Sequence, residues 1–188
     1  MILEAIITTT NDDGSVNISP MGPLVSTAPT DGFELRPFET SRTFANLQQR
    51  PFGVLHVTDD VMLFARTAIG KKMAELPDVR PAECQSDAYI LSDACRWYEF
   101  EAVYFETSQP RKNIRCNTIA AGRQRDFWGF NRAKHAVLEA AILATRVDFI
   151  PVEEIQRQFE PLRVIVEKTG GQRERDAMRL IDVFLDEA

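Results

Sequence analysis

The chain has 188 residues, 44% of them hydrophobic and 27% charged, with a formal net charge of −6. That size and apolar share suit one ordinary domain, or a compact domain with an annex, and the acidic balance argues against a phosphate-tracking nucleic-acid surface. No apolar run approaches the roughly 18–20 residues of a membrane span, and the start MILEAIITTT lacks a basic leader and carries Glu4, so the expectation is a cytoplasmic protein.

Residues 2–9, ILEAIITT, are rich in β-branched side chains, and TNDDGS then supplies an Asp13–Gly14 turn. The expected partner strand is VNIS, ended by Pro20. LVSTA and FELRPF form a second strand pair around the turn PTDG, residues 29–32. SRTFANLQQR reads as a helix with Ser41 as N-cap and Phe44 and Leu47 on one face. FGVLHV, residues 52–57, is a short apolar run fit for a buried strand. Thr58 or Asp59 is the expected cap of a helix through VMLFARTAI. WYEFEAVYFETS, residues 97–108, alternates Glu99 and Glu101 with Tyr98, Phe100 and Ala102. Short strands broken by single helices imply a small β-barrel rather than a βαβ fold.

The second half changes composition. RAKHAVLEAAILATR, residues 132–146, sets Ala133, Val137, Ala140 and Ala144 on one helical stripe of small residues. PVEEIQRQFEPLRVIVEK carries Ile155, Phe159, Leu162 and Val166 on a stripe that crosses Pro161, where a bend or break is expected. After Gly170–Gly171, residues 172–187 form a last helix burying Ala177, Leu180, Ile181 and Phe184. The chain therefore reads as an α+β protein: a barrel domain over residues 1–128 and a three-helix annex over 129–188. AAGRQRDFWGFN, residues 120–131, is the junction.

Candidate chemistry is sparse. Cys84, Cys95 and Cys116 are odd in number with no C-x-x-C spacing, and His56 and His135 stand far apart, so neither a disulfide frame nor a metal site is expected. The stretch RPFETSRTFANL, residues 36–47, runs from a strand end into a helix start. Ser41, Arg42 and Thr43 at that hinge admit two readings. They make an anion pocket, since helix N-termini, hydroxyls and guanidinium groups all suit phosphate; or Ser41 and Thr43 only cap the helix while Arg42 is solvated. Asp59–Asp60 reads as a helix cap rather than a catalytic acid.

TTTNDDGSVNISPMG (8–22), RPFETSRTFANL (36–47), HVTDDVMLF (56–64), FNRAKHAVLEAAILATR (130–146) and VEKTGG (166–171) together resemble the DUF447 family. Its members have an FMN-binding split-barrel domain related to flavin reductases and pyridoxamine-phosphate oxidases. The resemblance implies that fold, FMN as cofactor, and a homodimer with FMN near the subunit interface. It implies that Ser41, Arg42 and Thr43 hold the FMN phosphate, with Arg36 approaching from the strand. Asn46 then reaches the ribityl chain or braces the loop. The NISPMG segment passes the isoalloxazine through backbone groups near Ser19 and Met21, with Gly22 permitting close approach. His56 stands where the family carries asparagine. It either donates one hydrogen bond to flavin or is a strand histidine satisfied by a neighbour.

On this reading the protein is a flavin reductase-like oxidoreductase in which a nicotinamide or a deazaflavin reductant docks transiently at the flavin face. A non-catalytic flavin-binding or ligand-sensing protein is the alternative, because fold does not fix function. Haem or another planar ligand in the barrel is a third reading, against which the hydroxyl-rich turn favours FMN.

Overall fold

The computed structural model of the chain describes residues 1–70, 76–106 and 111–187. The chain divides into two compact units, Met1–Thr58 with Leu76–Phe127 and Asp59–Glu75 with Trp128–Ala188.

The first unit opens with a hairpin. β1 (Ala5–Thr10) and β2 (Val16–Met21) pair antiparallel, Thr10 opposite Val16 and Ala5 opposite Met21. Gly14 turns the tip at φ +82°, a left-handed conformation that costs glycine little. The strand expected to end before Pro20 instead runs through it to Met21. Proline is tolerated because β2 is an edge of the sheet, where a missing N–H need leave no ladder partner short. β3 (Leu24–Val25) and β4 (Phe33–Leu35) flank a 3-10 turn at Pro29–Asp31, and β4 stops short of the expected Arg36–Phe38 end. Then come α1 (Arg42–Gln49) and β5 (Phe52–Val57).

After an excursion into the second unit, β6 (Val79–Pro81) and β7 (Tyr89–Leu91) pair with each other. β8 (Arg96–Glu106) and β9 (Asn113–Arg123) form the longest ladder. Two residues of the strand expected over 97–108 lie outside the described residues, and β9 was not anticipated. Seven strands make one antiparallel sheet in the order β2-β1-β5-β8-β9-β4-β3. The sheet curls until its last strand meets the start of the chain: Ile2 bridges Leu24, the Val25 N–H donates to the Met1 carbonyl at 2.9 Å, and the Met1 ammonium returns to the Val25 carbonyl at 2.7 Å. This is the split-barrel, α+β architecture expected.

Strand alternation sorts the side chains between two faces. Ala5, Ile7, Leu55, Tyr98, Phe100, Ala102 and Ile114 fill the barrel core, and α1 adds Phe44 and Leu47 to it. On the other face, Val54 and Trp97 pack with Ala88 and Ile90. The β6–β7 segment is fixed there by buried side chains. Thr8 Oγ1 donates to the Tyr89 carbonyl at 2.6 Å and Thr10 Oγ1 to that of Asp87. Glu99, fully buried, accepts the backbone N–H groups of Glu83, Cys84 and Gln85 at 3.0, 3.0 and 2.7 Å.

The second unit is helical. It consists of α2 (Val61–Ala68), α3 (Arg132–Ala144), α4 (Val152–Thr169) and α5 (Gln172–Asp186). α3 buries Ala133, Ala136, Val137, Ala140, Ala141 and Ala144 against Ile155, Phe159 and Val166 of α4 and Ala177, Met178, Ile181 and Leu185 of α5. α2 contributes Val61 and Ala65 to the same core, so four helices share it. Of the Asp59–Asp60 pair read as a helix cap, Asp60 caps α2, in place of Thr58 or Asp59, accepting the Leu63 N–H at 3.1 Å, and it also binds the Arg173 guanidinium. Asp59 takes Lys134 Nζ at 2.7 Å. Of the bend or break expected at Pro161, the break does not occur: α4 is continuous through it. Burial of Phe159 and Val166 on either side offsets the one hydrogen bond that proline deletes. Among the described residues no helix is long and apolar enough to cross a membrane.

Candidate functional site

The strand-to-helix turn after β4 forms one wall of a cleft of about 550 Å³, lined by Glu39, Thr40, Ser41, Arg42, Ala45, Asn46 and Gln49. The facing wall is the hairpin tip, Asn11, Asp12 and Asp13. Ser41 caps α1, its Oγ accepting the Phe44 N–H at 3.2 Å. That bond occupies a lone pair and leaves the hydroxyl proton to donate elsewhere. Arg42 is exposed and makes no hydrogen bond or ion pair with the described residues. Arg36 is likewise exposed and unpaired among them, but it does not line this cleft.

Three carboxylates share the cleft with Arg42, and each is partly answered. Glu39 pairs with the buried Lys112 at 2.9 Å. Asp12 lies 3.5 Å from the Gln49 amide. The Ser15 hydroxyl and backbone N–H, at 2.6 and 2.9 Å, hold the Asp13 carboxyl below the ordinary carboxylate range, with a smaller contribution from the Arg42 charge.

Asn46 is part of this wall, and Thr43 lies behind it. Asn46 Nδ2 donates to Thr9 Oγ1 at 3.0 Å and to Asn11 Oδ1 at 2.9 Å, so it braces the opening hairpin. Thr43 is buried, and its Oγ1 accepts from Asn17 Nδ2 at 3.2 Å. Asn17 Nδ2 also reaches Thr9 Oγ1 at 3.1 Å. These five polar residues bolt α1 onto the opening hairpin. Together with Phe44 and Leu47 in the barrel core, the network holds a helix of eight residues in place, since helices this short do not persist on propensity alone.

The NISPMG segment begins with Asn17. Asn17, Ser19 and Met21 stand opposite Thr9, Ile7 and Ala5, so all three point to the face of β2 on which Thr43 sits. All are half-buried on an edge strand. At about 3.4 Å per residue, Met21 is roughly 14 Å along the strand from Asn17. The turn and the strand segment thus form one row. Gly22 ends it, but the space a Cβ would take there is filled by Ile2 Cγ2 at 2.8 Å, so its closeness serves the barrel seam.

His56 is elsewhere. It is fully buried on β5, with Nδ1 3.2 Å from the Ile6 carbonyl and Nε2 accepting the Leu91 N–H at 3.0 Å. Both ring nitrogens are committed, and burial pushes the pKa down to about 3, so the ring is neutral. Of the two readings offered for it, the satisfied strand histidine matches this geometry. Trp97 is likewise core, with the Arg80 guanidinium 5.6 Å above it. Among the described residues no three His, Cys, Asp or Glu side chains gather as a metal site.

The family model described as the N-terminal domain of a protein of unknown function, DUF447, matches residues 3–125, and the companion DUF447 model matches residues 131–182. Among solved structures, an FMN-bound DUF447 protein from Methanosarcina mazei is 24% identical with a TM-score of 0.81, over 97% of this chain and 94% of that one. An FMN-binding protein from Thermus thermophilus is 13% identical with a TM-score of 0.53, over 65% and 70% of the two chains. The 2-nitrobenzoate 2-nitroreductase of Pseudomonas fluorescens is 15% identical with a TM-score of 0.53, over 63% of each.

Proposed function

The chain belongs to the DUF447 family, and from that premise we propose that it is an FMN-binding flavoprotein with flavin reductase-like oxidoreductase activity. The observation that carries this reading is the unpaired Arg42 beside the Ser41 hydroxyl at the head of α1, in line with a half-buried row along edge strand β2. A mononucleotide has the same division: a compact dianion at one end and a flat, largely apolar ring at the other. The M. mazei relative of like fold is described as FMN-bound.

The residues present fit the group. Ser41 donates its free proton and Arg42 forks onto phosphate oxygens, aided by the partial positive charge of the α1 N-terminus. Arg36, free in the same connecting segment, adds attraction from the strand side. Lys112 neutralises Glu39, which would otherwise repel the phosphate. Thr43 acts from behind, locking the turn to β2 through Asn17. Ser19 and Met21 supply the strand edge against which the ring lies. FMN itself, when bound, supplies the hydride and electron chemistry. Since His56 is neutral and sealed, the protein's part is to hold the flavin and leave one face open for a transient nicotinamide or deazaflavin reductant. A homodimer completes the reading, because large apolar side chains such as Trp128 and Phe130 are about nine-tenths exposed.

The test is retention. Purified protein reconstituted with excess FMN is expected to keep about one flavin per chain through desalting and to show flavin absorption. Anaerobic addition of NADH, NADPH or a reduced deazaflavin then bleaches that absorption if the protein is a reductase. No bleaching by any of them leaves a flavin carrier or sensor, and no retained flavin removes the proposal.

A further inference from the structure

We propose that Asn17 is a ligand-contacting residue whose side-chain carbonyl accepts hydrogen bonds from the hydroxyls of the flavin's ribityl chain. This rests on the FMN reading above and adds to it the residue that reads the middle of the molecule.

Asn17 has the right place. It sits on β2 opposite Thr9, half-buried, between the α1 turn and the Ser19–Met21 segment. Along one strand face Ser19 follows it by about 7 Å and Met21 by about 14 Å. A ligand with its phosphate at Ser41 and Arg42 and its ring beside Ser19 and Met21 must pass its linker over Asn17.

It also has the right chemistry. The amide is anchored through its nitrogen: Nδ2 donates to Thr9 Oγ1 at 3.1 Å and to Thr43 Oγ1 at 3.2 Å. Its Oδ1 accepts nothing from the described residues. A half-buried amide with its nitrogen committed presents a carbonyl acceptor in a direction set by two threonines on different elements. Ribityl hydroxyls are donors, and they need an acceptor. A carboxylate there would accept equally well but would repel the neighbouring phosphate; an amide carbonyl accepts without that charge. Asn46 has its nitrogen committed in the same way, but it is only 7% exposed where Asn17 is half-buried, so its carbonyl is less open to a ligand.

Three flavins separate the parts. Lumiflavin has the ring without the ribityl chain, riboflavin adds the chain, and FMN adds the phosphate. Dissociation constants from fluorescence titration are compared for wild type, Asn17→Ala and Asn17→Asp, with thermal unfolding of each ligand-free protein. Wild type is expected to bind riboflavin more tightly than lumiflavin. Asn17→Ala weakens riboflavin and FMN roughly three- to tenfold, the size expected of one neutral hydrogen bond, and leaves lumiflavin unchanged. Asn17→Asp retains an acceptor, so riboflavin binding stays within about twofold, while FMN weakens through repulsion of its phosphate. The inference is overturned if Asn17→Ala weakens all three flavins alike, or none of them, since Asn17 would then be a brace only. It is also overturned if wild type binds riboflavin no better than lumiflavin, a result that leaves the FMN reading intact. If wild type binds no flavin at all, the FMN reading itself fails.

Discussion

The Leu91 N–H donates to His56 Nε2 at 3.0 Å, tying β7 to the fifth strand of the barrel across 35 residues of sequence. The opposite ring nitrogen meets the Ile6 carbonyl at 3.2 Å. One imidazole thus links three strands, and it does so only when neutral, because the accepting nitrogen must carry no proton.

A pH dependence follows. Burial lowers the His56 pKa from its ordinary 6.5 to about 3 in the folded chain. Above pH 6.5 neither state is protonated there and the ring contributes no slope. As pH falls below 6.5 the unfolded chain takes up a proton that the folded chain refuses, so stability declines until the folded pKa is reached. The full effect is about 4–5 kcal/mol. Chemical denaturation between pH 6.5 and 5, ahead of most carboxylates, should show a slope close to one proton. In His56→Gln that slope should vanish, with a loss of about 1–3 kcal/mol at neutral pH from the weakened Leu91 and Ile6 contacts. An unchanged slope in the variant would mean another group is responsible.

The phosphate turn gives a second prediction. Arg42→Ala should weaken FMN by roughly 1.5–3 kcal/mol, and Ser41→Ala by about 0.5–1.5 kcal/mol. Ser41→Ala also loses the α1 cap, so it should lower stability by about 1 kcal/mol, whereas Arg42→Ala should not. Riboflavin should bind wild type poorly and be indifferent to Arg42→Ala. Equal wild-type affinity for FMN and riboflavin would refute the assignment of the turn.

How much of this was legible in the sequence depended on whether the deciding forces are local. β8 was readable because Tyr98, Phe100 and Ala102 alternate with Glu99 and Glu101, although burial does not follow that alternation: Glu99 is fully buried as well, its carboxylate answered by the Glu83, Cys84 and Gln85 N–H groups. β9, its partner, was missed because Ala120, Ala121 and Gly122 look like turn material. They are small for a packing reason: a Cβ on Gly122 would meet the Trp97 indole at 2.6 Å. β6 and β7 carry no period of their own and are fixed by Thr8, Thr10, His56 and Glu99 from distant strands. At the site, the Ser41 cap was legible from three residues of spacing. Asn17 was not, since its partner Thr43 is 26 residues away and only the fold brings them within 3.2 Å.

The dimer can be checked through tryptophan. The chain has two: Trp97 is 4% exposed and Trp128 90%. Trp97→Phe leaves Trp128 as sole reporter. If a second copy covers Trp128 and its neighbour Phe130, emission should shift to the blue with rising protein concentration, in step with a change from one to two chains in sedimentation. Trp128→Ser with Phe130→Ser should then hold the protein as a monomer. Dimers of unchanged affinity in the double variant would place the interface elsewhere.

The helical unit yields the last prediction. Ala140 is fully buried in the middle of α3, flanked on its own helix by Ala136, Val137, Ala141 and Ala144, all buried. Small side chains there let α3 approach its neighbours closely, and such a contact has no room to absorb three more carbon atoms. Ala140→Leu should therefore cost about 1–3 kcal/mol in overpacking, despite leucine's good helix propensity. Leu138, on the same helix but only half-buried, is the control: Leu138→Ala removes surface without crowding and should cost less than a fully buried leucine would. Urea denaturation of the two variants decides the order. If Ala140→Leu is neutral or stabilising, the contact holds unused volume. The alanines would then be there for a reason other than close approach of the helices.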